Sequence, residues 1–452
     1  MENPSPEITK KDLKELAQTA KQILNNNWTG SFTVPSSSQY PHQWSWDSVF
    51  IAMGYAHYNQ DRAETELNHL FNGQWKNGMV PHIVFNSKEL NGDYFPGHEF
   101  WQTERSDNAP DSVKTSGICQ PPIHATGVRH LVEHASNRKQ ALKFAEELFP
   151  KLVSWHDYLY RERDPFNEGL VYIRHPWESG QDNSPIWDSI LNRFDIDQRE
   201  LPEYERKDDI HVNAEERPSN EEYDKYVYLV DFFRKRNYDE IQISEDHCPF
   251  LVQDVLFNTL LCRANRDLAE IAELIGENPE PFNKKADQTA GAMNQKLWNS
   301  KEQMYNDFDL QASKKIKARV LSGFLPLFAR VPNSSQKQKM FNYLNTHCFC
   351  QMTDTCFPAP SYDRSGEDYS ARTYWRGPVW INMNWLLSEG LNQYGFNDYV
   401  KQVKNSIIQL PFNSGFREYY DTDTGEAYGI DNFSWTAALL LDLVYRDKSS
   451  VF

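Results

Sequence analysis

The sequence predicts an all-α fold of roughly a dozen helices. Three observations predict it. Apolar residues recur at helical spacing in long segments, these segments come in pairs separated by short turns, and strand-like alternation is scarce. In chain order, residues 11–26 place Leu13, Leu16, Ala17, Ala20 and Leu24 on one face. Residues 47–58 and 61–71 form a helical hairpin turning near Asn59, and 122–135 with 138–160 form a second. The segment 249–274 is apolar around most of its surface (Leu251, Val252, Val255, Leu256, Leu260, Leu261), which predicts a buried helix; an amphipathic one follows at 281–297. Residues 319–328 with 336–344, and 378–394 with 398–410, give two more pairs, and 434–445 closes the chain. No break in composition marks a second domain, so 1–452 reads as one.

Composition narrows the function classes. Aromatics make up 14% of the chain, with 13 Trp and 23 Tyr, which favours a globular protein with an aromatic-rich pocket over a disordered one. A net charge of −17 disfavours nucleic acid and anionic membranes as partners. An anionic substrate would need a local cation to hold it. Residues 1–7 are polar and acidic, with no apolar targeting segment, and no run approaches the ~20 apolar residues of a membrane span. A cytoplasmic location is expected. Cys348, Cys350 and Cys356 cluster beside His347, but without the paired spacing of a zinc knuckle. All six cysteines are therefore read as free thiols, and neither metal nor cofactor is expected.

Long loops are uncommon unless functional, and those at 28–45, 74–121, 164–225 and 355–377 carry most of the unusual aromatics. The stretch 194–226 is too densely charged for a core; most of it reads as a solvated insertion within a cap at about 164–226. Three motifs carry chemistry: Gln-Trp-Ser-Trp-Asp-Ser at 43–48, Trp-Glu-Ser-Gly-Gln-Asp-Asn-Ser-Pro at 177–185 and Gly-Phe-Arg-Glu-Tyr-Tyr at 415–420. Sugar rings stack their C–H faces on tryptophan, while their hydroxyls need carboxylates, amides and guanidinium groups. The motifs thus read as a carbohydrate site with two candidate acids, Asp182 and Glu418. Each has a plainer reading. Asp182 suits an Asx-turn or helix cap, Glu418 an ion pair with Arg417, and Asp47 the first turn of the helix it opens. Trp46 and Trp380 suit core packing equally well, and Arg217 suits a salt bridge to Glu215 or Glu216.

The ordered set of motifs resembles glycoside hydrolase family 63, and within it the short cytosolic group acting on mannosylglycerate and glucosylglycerate. The resemblance spans nearly the whole chain. It rests on Tyr-Pro-His-Gln-Trp-Ser-Trp-Asp-Ser (40–48), Gln-Trp-x-x-Gly-Met-Val-Pro-His-Ile-Val-Phe (74–85), Tyr-Phe-Pro-Gly (94–97) and Glu-Ser-Gly-Gln-Asp-Asn-Ser-Pro (178–185). It continues through Arg-Pro-x-x-x-x-Tyr (217–223), Tyr-Trp-Arg-Gly-Pro-Val-Trp (374–380), Phe-x-Glu-Tyr-Tyr (416–420) and Phe-Ser-Trp-Thr-Ala (433–437).

The resemblance implies that the helical pairs close into an (α/α)6 barrel and that hydrolysis inverts the anomeric centre without a metal. It makes Asp182 the general acid and Glu418 the general base. Inversion asks for such a pair about 6.5–9.5 Å apart, with water between the base and the sugar. Asp182 must then hold a proton near neutrality, through burial or a neighbouring negative charge, with Glu178 the expected neighbour. Trp44, Ser45, Trp46 and Asp47 are implied to hold the sugar, with Tyr94, Trp177, Gly180, Trp375 and Trp380 as further contacts. Arg217 is implied to bind the glycerate carboxylate through two parallel hydrogen bonds, and Tyr40, Gln120, Tyr223 and Tyr374 to complete that subsite. The expected partner is a small glycoside with an anionic glycerate group; a homo-oligomer stays open, as does glucose against mannose. Three rivals differ in kind: a trehalase-like α-glucosidase with neutral substrates, a helical-ring isomerase using histidine pairs, and a sugar-binding protein without catalysis.

Overall fold

The computed structural model describes residues 8–90, 94–197, 199, 201–208, 210, 212–353 and 355–446. The heptapeptide read for targeting signals lies outside the described residues, as do Gln198, Glu200 and Asp209 of the charged stretch. Six segments stand side by side as an inner ring: helices Ser45–Ala56, His124–His134 and Val255–Ile275, the 3-10 helix Leu321–Leu327, and helices Ile381–Asn392 and Ser434–Arg446. Each packs on the next, and the last packs back on the first. The ring is therefore closed. Around it, Lys10–Asn26, Gln60–Asn72, Arg138–Glu162, Glu280–Ala292, Ser334–Leu344 and Asn397–Ser414 each lie against an inner neighbour. This is the (α/α)6 barrel.

Sequence composition sorts the two layers. Every residue of Ser45–Ala56 is buried, as suits a helix apolar all round. The outer Lys10–Asn26 buries only a stripe (Leu16, Ala17, Ala20, Ile23, Leu24) and starts at a capping box in which Thr9 and Asp12 exchange hydrogen bonds.

Four expectations are corrected. Residues 319–328 do not form an α-helix; Pro326 lacks an N–H and crowds the preceding turn, and a 3-10 helix forms over Leu321–Leu327. The helix expected from 249 begins at Val255, because Val252–Gln253 pairs with Phe308–Asp309 and Asp254 caps the following turn. The end of the charged stretch is not loop but helix Asn220–Arg234, opened by a Ser219–Glu222 capping box and burying Tyr223, Tyr226, Val227 and Val230. Finally, Cys350 and Cys356 form a disulfide, so not all six cysteines are free; Cys119, Cys248, Cys262 and Cys348 are free and buried. Among the described residues no helix is long and apolar enough to cross a membrane.

Candidate active site

The N-terminal ends of four of the inner helices, Ser45–Ala56, His124–His134, Ile381–Asn392 and Ser434–Arg446, or the segments just before them, meet at one cavity of about 880 Å³, open mouth included. Trp46 and Asp47 reach it from the first turn of Ser45–Ala56, Trp375 from the segment before Ile381–Asn392, and Trp435 from the start of Ser434–Arg446. Trp44 is fixed by a short antiparallel pairing, Gln43 with Val84 and Trp44 with Ile83. Gln120 accepts a hydrogen bond from the Trp46 N–H at 3.3 Å, tying the pocket wall to the loop before His124–His134.

Asp182 follows the 3-10 turn Pro176–Ser179 and Gly180. Gly180 has φ +71°, and a Cβ there would stand 2.5 Å from the Trp46 ring, so only glycine lets the loop lie against the tryptophan. Hydrogen bonds fix the loop on both sides of Asp182. Tyr226 Oη donates to the Asp182 carbonyl at 2.8 Å, and the Trp375 N–H donates to Asn183 Oδ1 at 3.0 Å. Burial pushes the Asp182 carboxyl up to about 7; Arg217 opposes the rise, while the charges of Glu418 and Asp208 add to it. A carboxyl there keeps a proton to give near neutrality.

Glu418 is held by a different set of contacts. It lies on the strand Arg417–Tyr420, which pairs with Ala427–Asp431 across a bulge: Arg417 faces Asp431, yet Tyr419 faces Tyr428. The bulge aims the Ile430 N–H at Glu418 Oε2 (3.2 Å). Arg217 Nη2 reaches the same oxygen at 3.2 Å, and Tyr40 Oη and Tyr374 Oη donate to Oε1 at 3.0 and 3.3 Å. Four donors thus fix one buried carboxylate, two on each oxygen. Gly429 makes the bulge possible, with φ +66° and a would-be Cβ 2.5 Å from Glu418 Oε2. Gly429→Ala is expected to cost about 1–2 kcal/mol in backbone strain and to displace the carboxylate. Turnover should therefore fall more than 10-fold while Tm moves by only a few degrees. Steady-state kinetics beside a thermal melt checks this.

Arg217 is buried, stacks over the Tyr374 ring at 4.5 Å and bonds neither Glu215 nor Glu216. Its Nε has no hydrogen-bond partner among the described residues. Glu216 forms a second layer instead, accepting from Tyr419 Oη (3.1 Å) and the Gly429 N–H (3.2 Å). Asp47 faces the cavity, and burial holds its carboxyl well above the usual range, with Glu418, Asp182 and Glu66 adding to the effect.

Of the residues singled out in the sequence, all but Ser45 and Trp380 line this cavity. Ser45 lies one layer deeper, its hydroxyl 2.9 Å from His124 Nε2. Trp380 lies behind Trp375, the two rings parallel with centroids 3.8 Å apart, so it supports the platform without reaching the pocket. Glu178 also has a different role from the one expected. Burial alone would raise its pKa, but Arg163 (3.0 Å at both oxygens) and Arg174 bring it down to about 2. Its charge is spent on those arginines, and the negative neighbours of Asp182 are Glu418 and Asp208. Sequence reasoning missed Asp208 and Lys207, which enter from the charged stretch, and His82, Phe433 and Trp435. Phe433 and Trp435 had a signal, since their aromatic motif stands at the start of an inner helix.

Two carboxyls in one aromatic-walled cavity at the mouth of a helical barrel, one of them with a raised pKa, define a glycoside hydrolase. The model of the mannosylglycerate hydrolase MGH1-like glycoside hydrolase domain matches residues 40–436. A mannosylglycerate hydrolase of Rubrobacter radiotolerans is 50% identical over 432 residues, 96% of this chain and 97% of that one. A glucosylglycerate hydrolase of Mycolicibacterium hassiacum is 35% identical, covering 95% and 97%. The crystal structure of a family 63 mannosylglycerate hydrolase from Thermus thermophilus, in complex with Tris and D-glycerate, superposes with a TM-score of 0.88 at 42% identity, covering 95% and 99%. The chain belongs to the MGH1-like family of glycoside hydrolases, within glycoside hydrolase family 63.

Proposed function

We propose that this chain hydrolyses mannosylglycerate and glucosylglycerate to hexose and glycerate with inversion, as one catalytic domain capped by the 164–226 region. The observation that carries the reading is a pair of carboxyls in one cavity, Asp182 raised by burial and Glu418 held by four hydrogen-bond donors. Asp182, its pKa pushed up to about 7, gives its proton to the glycosidic oxygen. Glu418, oriented by its four donors, takes a proton from the water that attacks the anomeric carbon from the other face. The C–O bond to glycerate breaks, the new C–O bond comes from water, and the two protons balance. Arg217 supports the glycerate assignment: a buried guanidinium with an unpaired Nε suits a carboxylate better than a neutral sugar does.

The test is sugar release from glucosylglycerate, mannosylglycerate and trehalose, with the product anomer followed by NMR. Cleavage of the two glycerate glycosides with inversion supports the proposal. Cleavage of trehalose alone would move the chain to the neutral glucosidases.

The pH dependence follows from Asp182. The acid works only while protonated, so kcat/KM should hold below pH 7 and fall about tenfold per unit above it. A pH–rate profile that stays flat through pH 9 would remove Asp182 from the acid role.

A further inference from the structure

The inner helices that carry the pocket at their N-terminal ends carry a second cluster at their other ends. His57 caps the C-terminus of Ser45–Ala56, His130 and His134 lie one turn apart at the end of His124–His134, and Asp442 lies near the end of Ser434–Arg446. Asp442 is fully buried. Its Oδ1 stands 2.8 Å from His57 Nε2 and 2.9 Å from His130 Nε2. The His134 ring packs 4.8 Å from that of His57 and 4.3 Å from that of His130. The ligand atoms of His57, His130 and Asp442 all lie within 4.8 Å of one another.

Two details separate this cluster from an ordinary hydrogen-bonded core. His130 is 6% exposed, and its Nε2 stands 2.9 Å from Asp442 Oδ1 without good hydrogen-bond alignment, so two imidazoles crowd one carboxylate oxygen. The other carboxylate oxygen is also held from behind. Oδ2 accepts from Trp385 Nε1 at 2.8 Å and Arg446 Nη1 at 3.1 Å, which turns Oδ1 toward the imidazoles. Outer hydrogen bonds of this kind orient carboxylates that ligate metals. The Arg446 charge is shared with Glu389 at 2.9 Å, so it does not fall on the histidine side alone.

We propose that His57, His130 and Asp442 bind one divalent transition-metal ion, with Zn2+ best matched to two imidazoles and a carboxylate, the His134 ring packing beside them. Zinc takes such donors at about 2.0–2.2 Å in a tetrahedron. Neighbouring ligand atoms then lie about 3.3 Å apart, so each Oδ1–Nε2 separation, now 2.8 and 2.9 Å, would open by about 0.5 Å. The ion would join the C-terminal ends of three inner helices whose other ends present Trp46, Asp47 and Trp435 to the cavity. Its role is to clamp the barrel, and no step of the hydrolysis passes through it.

The full-length chain, dialysed against a chelator, is titrated with Co2+ alone and its visible d–d absorption followed; Zn2+ is then added in competition. One saturable equivalent with tetrahedral intensity, displaced by Zn2+, and a Tm that rises with the metal are expected. His130→Ala should abolish the absorption, and Trp385→Phe should weaken binding about 10-fold by freeing Asp442. Hydrolysis by metal-free wild type should be intact below the melting range. No saturable absorption in folded wild type, or binding unchanged in His130→Ala, would overturn the site. The wild-type titration decides even if a variant fails to fold.

Discussion

Asp182→Asn is expected to lower kcat on mannosylglycerate and glucosylglycerate by about 10²- to 10⁴-fold, with KM little changed. The amide has nearly the shape of the acid and keeps the loop, because the contacts that fix it come from Tyr226 on the Asp182 carbonyl and Trp375 on Asn183, not from the carboxyl. What it loses is the proton. Glycerate is a poor leaving group as an alkoxide, so departure without protonation carries the whole barrier. A glycosyl fluoride of the same sugar needs no such help, since fluoride leaves as a stable anion. Asp182→Asn should therefore keep most of its activity on the α-glycosyl fluoride, whereas Glu418→Gln should lose it on both substrates. Equal losses on both substrates in Asp182→Asn would assign the residue to binding or architecture. The pair of substrates thus tests the division of labour, which a single dead variant does not.

That division is legible in the sequence only in part. The motifs around Asp182 and Glu418 mark two carboxyls, but their spacing in the chain says nothing of what surrounds each. Arg217 and Glu418 meet across 201 positions, and no local pattern announces the contact. Asp208 is hidden for another reason: it belongs to a charged stretch whose composition reads as solvated, yet it lines the cavity and helps raise the Asp182 pKa. The helices are easier, because burial imposes periodicity. The segment 249–274 reads as a buried helix from its sequence, and Val255–Ile275 is an inner stave. Asn220–Arg234 escapes the sequence reading although its capping box, Ser219 with Glu222, stands in the chain; an acidic first turn suits a helix N-terminus and a solvated loop alike. The Leu321–Leu327 stave falls where periodicity puts it but takes another helix type, since its apolar pattern masks the effect of Pro326. Ring closure needs the contact between the first and last inner helices, which only the resemblance supplies in advance.

Arg217→Ala carries the second large effect, and its size should depend on the substrate. In the simplest reading the guanidinium only holds glycerate, and its loss spares neutral glycosides. The geometry adds a second task, because Nη2 also bonds Glu418 Oε2 at 3.2 Å. Removing it leaves the base with Tyr40, Tyr374 and the Ile430 N–H, so the carboxylate is weakened in its support but not stranded. On an α-glycosyl fluoride, which has no carboxylate, a loss of about 10-fold is expected, the worth of one charge-assisted bond to the base. On the glycerate glycosides the lost contact to the substrate carboxylate multiplies this, to about 10²- to 10³-fold in kcat/KM. Arg217→Lys should recover part of the loss on the fluoride, where a point charge near Glu418 suffices. It should recover less on glycerate, where two parallel donors are needed. The ratio between the two substrates, measured for the three proteins side by side, is the decisive quantity. If it stays at the wild-type value, Arg217 serves Glu418 alone, and the cation for the anionic half of the substrate must be sought elsewhere on the rim, with Lys207 the first residue to replace.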